Sequence, residues 1–226
     1  MKKYYLCFLF TLALMISLGK PRILQKAGEN EKRLQKEEKE YFRTMKSGER
    51  KWEKWVKKTD YWKKYINIKN EMVSFPIPKE DQPRITYENG WMEERSYGGK
   101  RGHEGCDLMD KNNSRGAIPI LSITEGTVEE LGWLKLGGYR VGIRSPKGNY
   151  YYYAHLDSYS PIIKKNMQIH AGQLLGYMGD SGYGVEGTKG KFPVHLHVGI
   201  YVKGKKEYSV NPYYLLKELE QKKEVR

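Results

Sequence analysis

The sequence predicts a mainly β, antiparallel domain preceded by a basic helical segment. Beyond residue 84, short runs of β-branched and aromatic residues alternate with turns containing Gly, Pro and Asn. The 19 tyrosines and 24 glycines suit pleated strands and tight turns better than helices. Charge is also divided unevenly. Residues 20–70 hold 17 Lys/Arg against 8 Asp/Glu, whereas residues 71–226 hold 22 against 19. The net charge of +14 thus belongs largely to an arm and says little about the domain behind it. A chain of 226 residues has room for one well-cored domain with extensions.

At the N-terminus, Lys2 and Lys3 precede an apolar run from Tyr4 to Leu18. That is the length of a signal-peptide core and short of the roughly 20 apolar residues of a spanning helix. Ser17-Leu18-Gly19 has the small-x-small character of a cleavage site, while Lys20 and Arg22 suit an uncleaved anchor. Residues 1–19 are therefore read as a signal peptide or membrane anchor, and the protein as exported to the extracellular space or cell envelope. Cys7 lies within the apolar run, which leaves Cys106 alone in the exported part. Disulfide staples cannot stabilise that part.

Residues 20–70 read as a basic helical arm, with Glu29 to Glu40 charged on most faces. Trp52, Trp55, Val56, Trp62, Tyr65 and Ile66 recur at helical spacing. This stripe either docks on the following domain or lies on an anionic surface, a membrane or a wall polymer. Basic and aromatic residues with no recognition motif do not make a nucleic-acid binder.

Phe75-Pro-Ile-Pro78 and Gln82-Pro83 end the helical region, and the domain is placed at residues 72–216. Expected strands run from Ile85 to Tyr87, Trp91 to Arg95, Ile118 to Ile123, Thr127 to Leu131, Tyr139 to Arg144, Tyr150 to His155, Gln173 to Met178 and Val194 to Val202. Asn89-Gly90 and Pro146-Lys-Gly-Asn149 supply turns. Asn211-Pro212 opens a short helix whose inner face is Leu215, Leu216 and Leu219, ahead of a tail at 217–226.

Four of the five histidines occupy three short motifs: His103-Glu-Gly-Cys-Asp107, Tyr153-Ala-His-Leu156 and His195-Leu-His197. On a strand, His195 and His197 share one face while Leu196 and Val198 take the other. Gly105 lets a loop turn His103 and Asp107 toward one ion as the chain enters a strand. Cys106 should point away, small and buried. Each motif alone is weak, and surface or buried histidines would explain any one of them. Together they offer nitrogen and oxygen ligands for a metal site with imidazoles to spare for proton transfer.

The ordered set resembles the lysostaphin-type, or LytM, zinc endopeptidases, also known as the duplicated-hybrid-motif family. Thr124-Glu-Gly-Thr-Val128, Ala171-Gly-Gln-Leu-Leu-Gly176 and Gly179-Asp-Ser-Gly182 look like the structural glycine turns of that family. The resemblance spans about residues 95–202. It implies a compact antiparallel β-sheet catalytic domain of the barrel-sandwich hybrid type, acting on peptides of bacterial peptidoglycan. It further implies one zinc ion per chain, held by His103, Asp107 and His197. His155 and His195 would be the outer pair that handles protons, and Tyr97 would reach toward the transition state. Departures are Val194, inserted between Pro193 and His195, and an extended loop from Tyr183 to Lys191. A non-catalytic wall-binding or envelope-assembly module on the same fold is the alternative, and would not need all five metal-site residues.

Overall fold

The alternation of apolar and polar side chains builds most of the structure. The computed structural model describes residues 60–96, 99–203 and 207–221. Residues 1–19, read from sequence as a signal peptide or anchor, the arm up to residue 59 with Trp52, Trp55 and Val56, the side chain of Trp62, and Tyr97 lie outside the described residues. In chain order the elements are α1 (Asp60–Glu71), β1 (Ile85–Thr86), β2 (Glu94–Arg95), β3 (Arg101–Gly102), β4 (Cys106–Asp110), β5 (Pro119–Leu121), β6 (Gly126–Leu134), β7 (Gly138–Arg144), β8 (Tyr150–Tyr159), β9 (Gln168–Ile169), β10 (Leu174–Met178), β11 (His195–Val202), β12 (Tyr208–Val210) and α2 (Pro212–Gln221).

Among these strands every pairing is antiparallel. The main sheet follows the order β1-β4-β11-β8-β7-β6-β9, with β12 on β11 and β10 joined to both β5 and β8. A separate ribbon, β2 with β3, leads into the first histidine motif. Leu108, Val128, Val141, Ile143, Leu196 and Val198 are fully buried. A side chain of this kind contributes roughly 1.5–3 kcal/mol when removed from water.

Several expected elements shift. The run at Trp91 to Arg95 shortens to two strand residues because Met92 is left-handed, with φ of 62°. Its backbone N–H instead donates to the His103 carbonyl at 2.8 Å. The strand expected to stop at His155 continues to Tyr159. Two-residue β9 and three-residue β12 are too short to show a period. Helix α2 runs through the first residues of the expected tail, since Leu219 completes its buried stripe and Glu220 accepts a hydrogen bond from Tyr87 Oη at 2.7 Å.

The compact unit begins at Tyr61, so the last turns assigned from sequence to the arm belong to this unit. Tyr65 and Ile68 of α1 are fully buried. Glu71, at the helix C-terminus where a negative charge is poorly placed, is buried as well. Four donors from the β7–β8 turn region compensate it: Ser145 Oγ at 2.9 Å, the Lys147 N–H at 3.2 Å, Asn149 Nδ2 at 2.6 Å and Tyr151 Oη at 3.3 Å. Replacing Glu71 with Ala should leave these donors unsatisfied and cost about 2–3 kcal/mol of folding stability. Urea unfolding of the variant and wild type, with unchanged m-value, measures that difference.

Candidate metal centre and active-site cleft

Strand register places the first ligands. β4 lies beside β11 with Asp107 opposite His197, Leu108 opposite Leu196 and Cys106 opposite Val198. Period-two alternation then separates the faces: Leu196 and Val198 enter the core, while His195 and His197 look out on Asp107. Cys106 is buried, with its thiol directed to the Glu88 carbonyl at 3.7 Å. Burial, then the charge of Asp107, pushes that thiol well above its usual range. His103 arrives from β3, its N–H donating to the Glu93 carbonyl at 2.9 Å. Gly105 follows because a Cβ there would strike the His197 imidazole and the Val198 carbonyl.

Three atoms converge. His103 Nε2 lies 3.0 Å from Asp107 Oδ1 and 3.0 Å from His197 Nδ1, and the latter two are 2.9 Å apart. The other nitrogen of His103, Nδ1, is 3.0 Å from the Gly90 carbonyl. A carbonyl only accepts, so Nδ1 carries the proton and neutral His103 presents a lone pair at Nε2. The triangle therefore gathers a carboxylate oxygen and two imidazole nitrogens with at most one proton among them when both rings are neutral. Its edges approach the spacing of three ligands around an ion with bonds of about 2.0–2.1 Å. The donor set fits a divalent metal. Burial works against ionisation of Asp107, but its close contacts with the His103 and His197 imidazoles outweigh it and hold the carboxyl well below the usual range.

The outer histidines are tied in the same way. His195 Nδ1 donates to the Pro193 carbonyl at 2.8 Å, and its Nε2 faces Asp107 Oδ1 at 3.9 Å. Val194 thus leaves Pro193 placed to orient the ring. His155 Nδ1 donates to the Ser181 carbonyl at 2.8 Å, and the rings of His155 and His195 lie 4.7 Å apart. His155 has φ of 64°, a left-handed conformation that costs a non-glycine residue on the order of 1 kcal/mol or more. The cause is a change of partner along β8. Ala154 and the residues before it pair with β11, while Leu156 and those after it pair with β10. Burial lowers both imidazoles from their ordinary 6.5; for His155 the neighbouring His195 and His197 add to it, and for His195 the Asp107 charge opposes it.

All four histidines line a cleft of about 760 Å³. Of the residues assigned from sequence, His103, Asp107, His155, His195 and His197 come together there, and Tyr97 lies outside the described residues. The fifth histidine, His170, is exposed in the turn after β9. Sequence reasoning missed two supports. Ser181, counted only within a glycine turn, orients His155, and its hydroxyl donates to the Leu156 carbonyl. Arg95 donates to Asp107 Oδ2 at 3.1 Å, leaving Oδ1 for the triangle. No local pattern marks Arg95, because the two-residue strand that carries it is set by tertiary pairing.

Fold and site together define an antiparallel β domain with a candidate metal centre and two further imidazoles in one cleft. Residues 101–212 match Peptidase family M23, and the chain belongs to that family. It is 39% identical over 153 residues to an L-Ala–D-Glu endopeptidase of Bacillus subtilis. That match covers 67% of this chain and 45% of the relative, so the chain spans less than half of that protein. A solved structure from Ruminococcus gnavus, assigned as a LytM-type glycyl-glycine endopeptidase, is 51% identical with a TM-score of 0.65. The alignment covers 75% of this chain and 70% of that one. The SpoIIQ–SpoIIIAH pore-forming complex contains a chain alike in fold alone, with 18% identity, a TM-score of 0.51 and coverage of 64% and 90%.

If the triangle holds a divalent metal, Arg95→Ala should weaken its affinity for added zinc about 10- to 100-fold by freeing the Asp107 carboxylate to rotate. Competition titration against a chromophoric chelator reads this directly, and an unchanged affinity would remove Arg95 from the site.

Proposed function

We propose that this chain is a zinc-dependent endopeptidase that hydrolyses stem peptides or peptide cross-links of bacterial peptidoglycan. The observation that carries the reading is the triangle of lone pairs on His103, Asp107 and His197, with the outer histidines beside it. Membership of Peptidase family M23 supports it, as does a relative named for cleaving an L-Ala–D-Glu bond. Export to the cell envelope, with residues 20–70 concentrating the enzyme on an anionic wall polymer or membrane, belongs to the same proposal.

In this reading His103, Asp107 and His197 hold the zinc. A bound zinc ion supplies Lewis acidity that polarises a carbonyl and acidifies water. The remaining chemistry belongs to the chain. His155 and His195 have each committed Nδ1–H to a backbone carbonyl, so Nε2 is the basic nitrogen. One of them takes a proton from the attacking water as its oxygen bonds to the scissile carbon. The pair then returns a proton to the departing amine nitrogen as the C–N bond breaks, and water plus peptide become a carboxyl and an amine. Burial keeps both rings neutral at pH 7, the form a base requires. A purely architectural module would need neither the tied tautomers nor the left-handed backbone at His155.

Digestion of purified peptidoglycans of differing cross-link chemistry, with mass analysis of new termini, tests the proposal. Wild type should generate new termini. His103→Ala should lose zinc and activity together, whereas His195→Ala should keep zinc and lose at least about 100-fold in turnover. Intact peptidoglycan after treatment with zinc-loaded wild type would overturn the reading.

The lowered imidazoles also set the pH response. A base whose folded value is depressed stays unprotonated below its ordinary 6.5, so activity should survive mild acidification. With zinc held saturating, the acid limb of kcat/KM should fall below pH 6.5. An acid limb above 6.5 would show that neither ring is the buried base.

A further inference from the structure

The cleft extends from the triangle along β8, and its floor there is tyrosine. Tyr152 meets the His197 ring edge-on, with centroids 5.9 Å apart, and Tyr150 lies a further 6.5 Å along, stacked on Tyr152. Glycines allow these rings to lie low: a Cβ on Gly142 would strike the Tyr150 ring, and one on Gly137 the Tyr152 hydroxyl. Three arginines line the same cleft. Arg95 is paired with Asp107 at 3.1 Å and Arg140 with Glu130 at 3.1 Å. Arg101 differs from both. Half-buried and close enough to Tyr152 to act on its ionisation, it has no carboxylate partner among the described residues, while its Nε, like that of Arg140, is buried without a hydrogen-bond partner.

A half-buried guanidinium with no carboxylate beside it is costly unless an anion completes it, because its desolvation is otherwise poorly compensated. We infer that Arg101, above the Tyr150–Tyr152 floor, is a specificity-determining subsite for a carboxylate of the peptide substrate near the scissile bond. The inference rests on the endopeptidase reading and deepens it: the substrate is an acidic peptide, not a neutral glycine bridge. The tyrosine rings give the peptide backbone a flat apolar bed. Arg101 then gives its carboxylate the planar, two-pronged donor that such recognition uses.

The test compares two synthetic stem peptides containing an L-Ala–D-Glu bond, identical except that the free glutamyl carboxyl of one is amidated. Affinities are measured by calorimetry on zinc-loaded, full-length His195→Ala protein, with and without Arg101→Gln. The carboxylate form should bind at least about tenfold tighter than the amide. Arg101→Gln should remove that preference, weakening the acidic peptide about 10- to 100-fold and the amide less than about twofold. Equal affinity for the two peptides when Arg101 is present overturns the subsite without any reliance on the variant. So does equal weakening of both by Arg101→Gln. Hydrolysis by zinc-loaded wild type is followed separately. If it cleaves neither peptide nor intact peptidoglycan, the endopeptidase reading fails while the affinities still decide the role of Arg101.

Discussion

Three electron-pair donors that cannot satisfy one another sit about 3 Å apart, and the architecture exists to keep them there. Because His103 gives its Nδ1 proton to Gly90, a single proton on His197 Nδ1 can serve Asp107 Oδ1 or His103 Nε2, not both. A divalent cation would serve all three at once. Until then the pairing of β4 with β11 must hold the acceptors together against their mutual repulsion. Leu108, Leu196 and Val198, wholly removed from water on the far faces of those strands, contribute several kcal/mol between them to that end. A one-residue slip of β11 would exchange the histidine and leucine faces and abolish both core and site.

The second constraint is the divided strand. β8 supplies one half of its length to β11 and the other to β10, and His155 stands at the division. A regular strand would have carried the ring away from His195. The left-handed turn at His155 brings it back, and the surroundings over-determine that conformation. The His155 N–H is held by the Gly137 carbonyl at 2.8 Å and its ring by the Ser181 carbonyl. Ser181 is itself fixed, its hydroxyl accepting from the Tyr139 N–H at 3.0 Å while donating to Leu156. Gly182 must be glycine for this turn to close, with φ of 126° and no room for a Cβ against the Leu136 carbonyl.

What could be read from the sequence follows from what is periodic. The faces of β11, the burial of Cys106 and the inner stripe of α2 all come from alternation or helical spacing, and each is found as expected. That His103, Asp107, His155, His195 and His197 would converge was legible because their motifs are compact and occur in a distinctive order. Three features lay beyond that reach. β8 looked finished at His155 because a histidine after four tyrosines breaks the aromatic run, whereas its continuation depends on β10, arriving from residues 174–178. Arg95 acts through a two-residue ribbon with no pattern of its own. The docking of α1 depends on Glu71, which resembles any other charged residue of a basic arm until Ser145, Asn149 and Tyr151 surround it.

Strand β8 also joins the core to the cleft through one repeated residue. Tyr151 and Tyr153 point inward and are fully buried. Their hydroxyls are occupied there: Tyr151 donates to Glu71, and Tyr153 accepts from the Ile123 N–H at 2.8 Å. Tyr150 and Tyr152, one residue out of phase, pave the cleft. The same residue type serves both faces because tyrosine couples a large apolar ring to a polar tip that can be satisfied at depth or presented at a surface. Phenylalanine at 151 or 153 would strand a buried donor or acceptor, and a smaller residue at 150 or 152 would expose the glycines beneath. Four consecutive tyrosines are thus two pairs with separate duties, divided by the pleat of the strand.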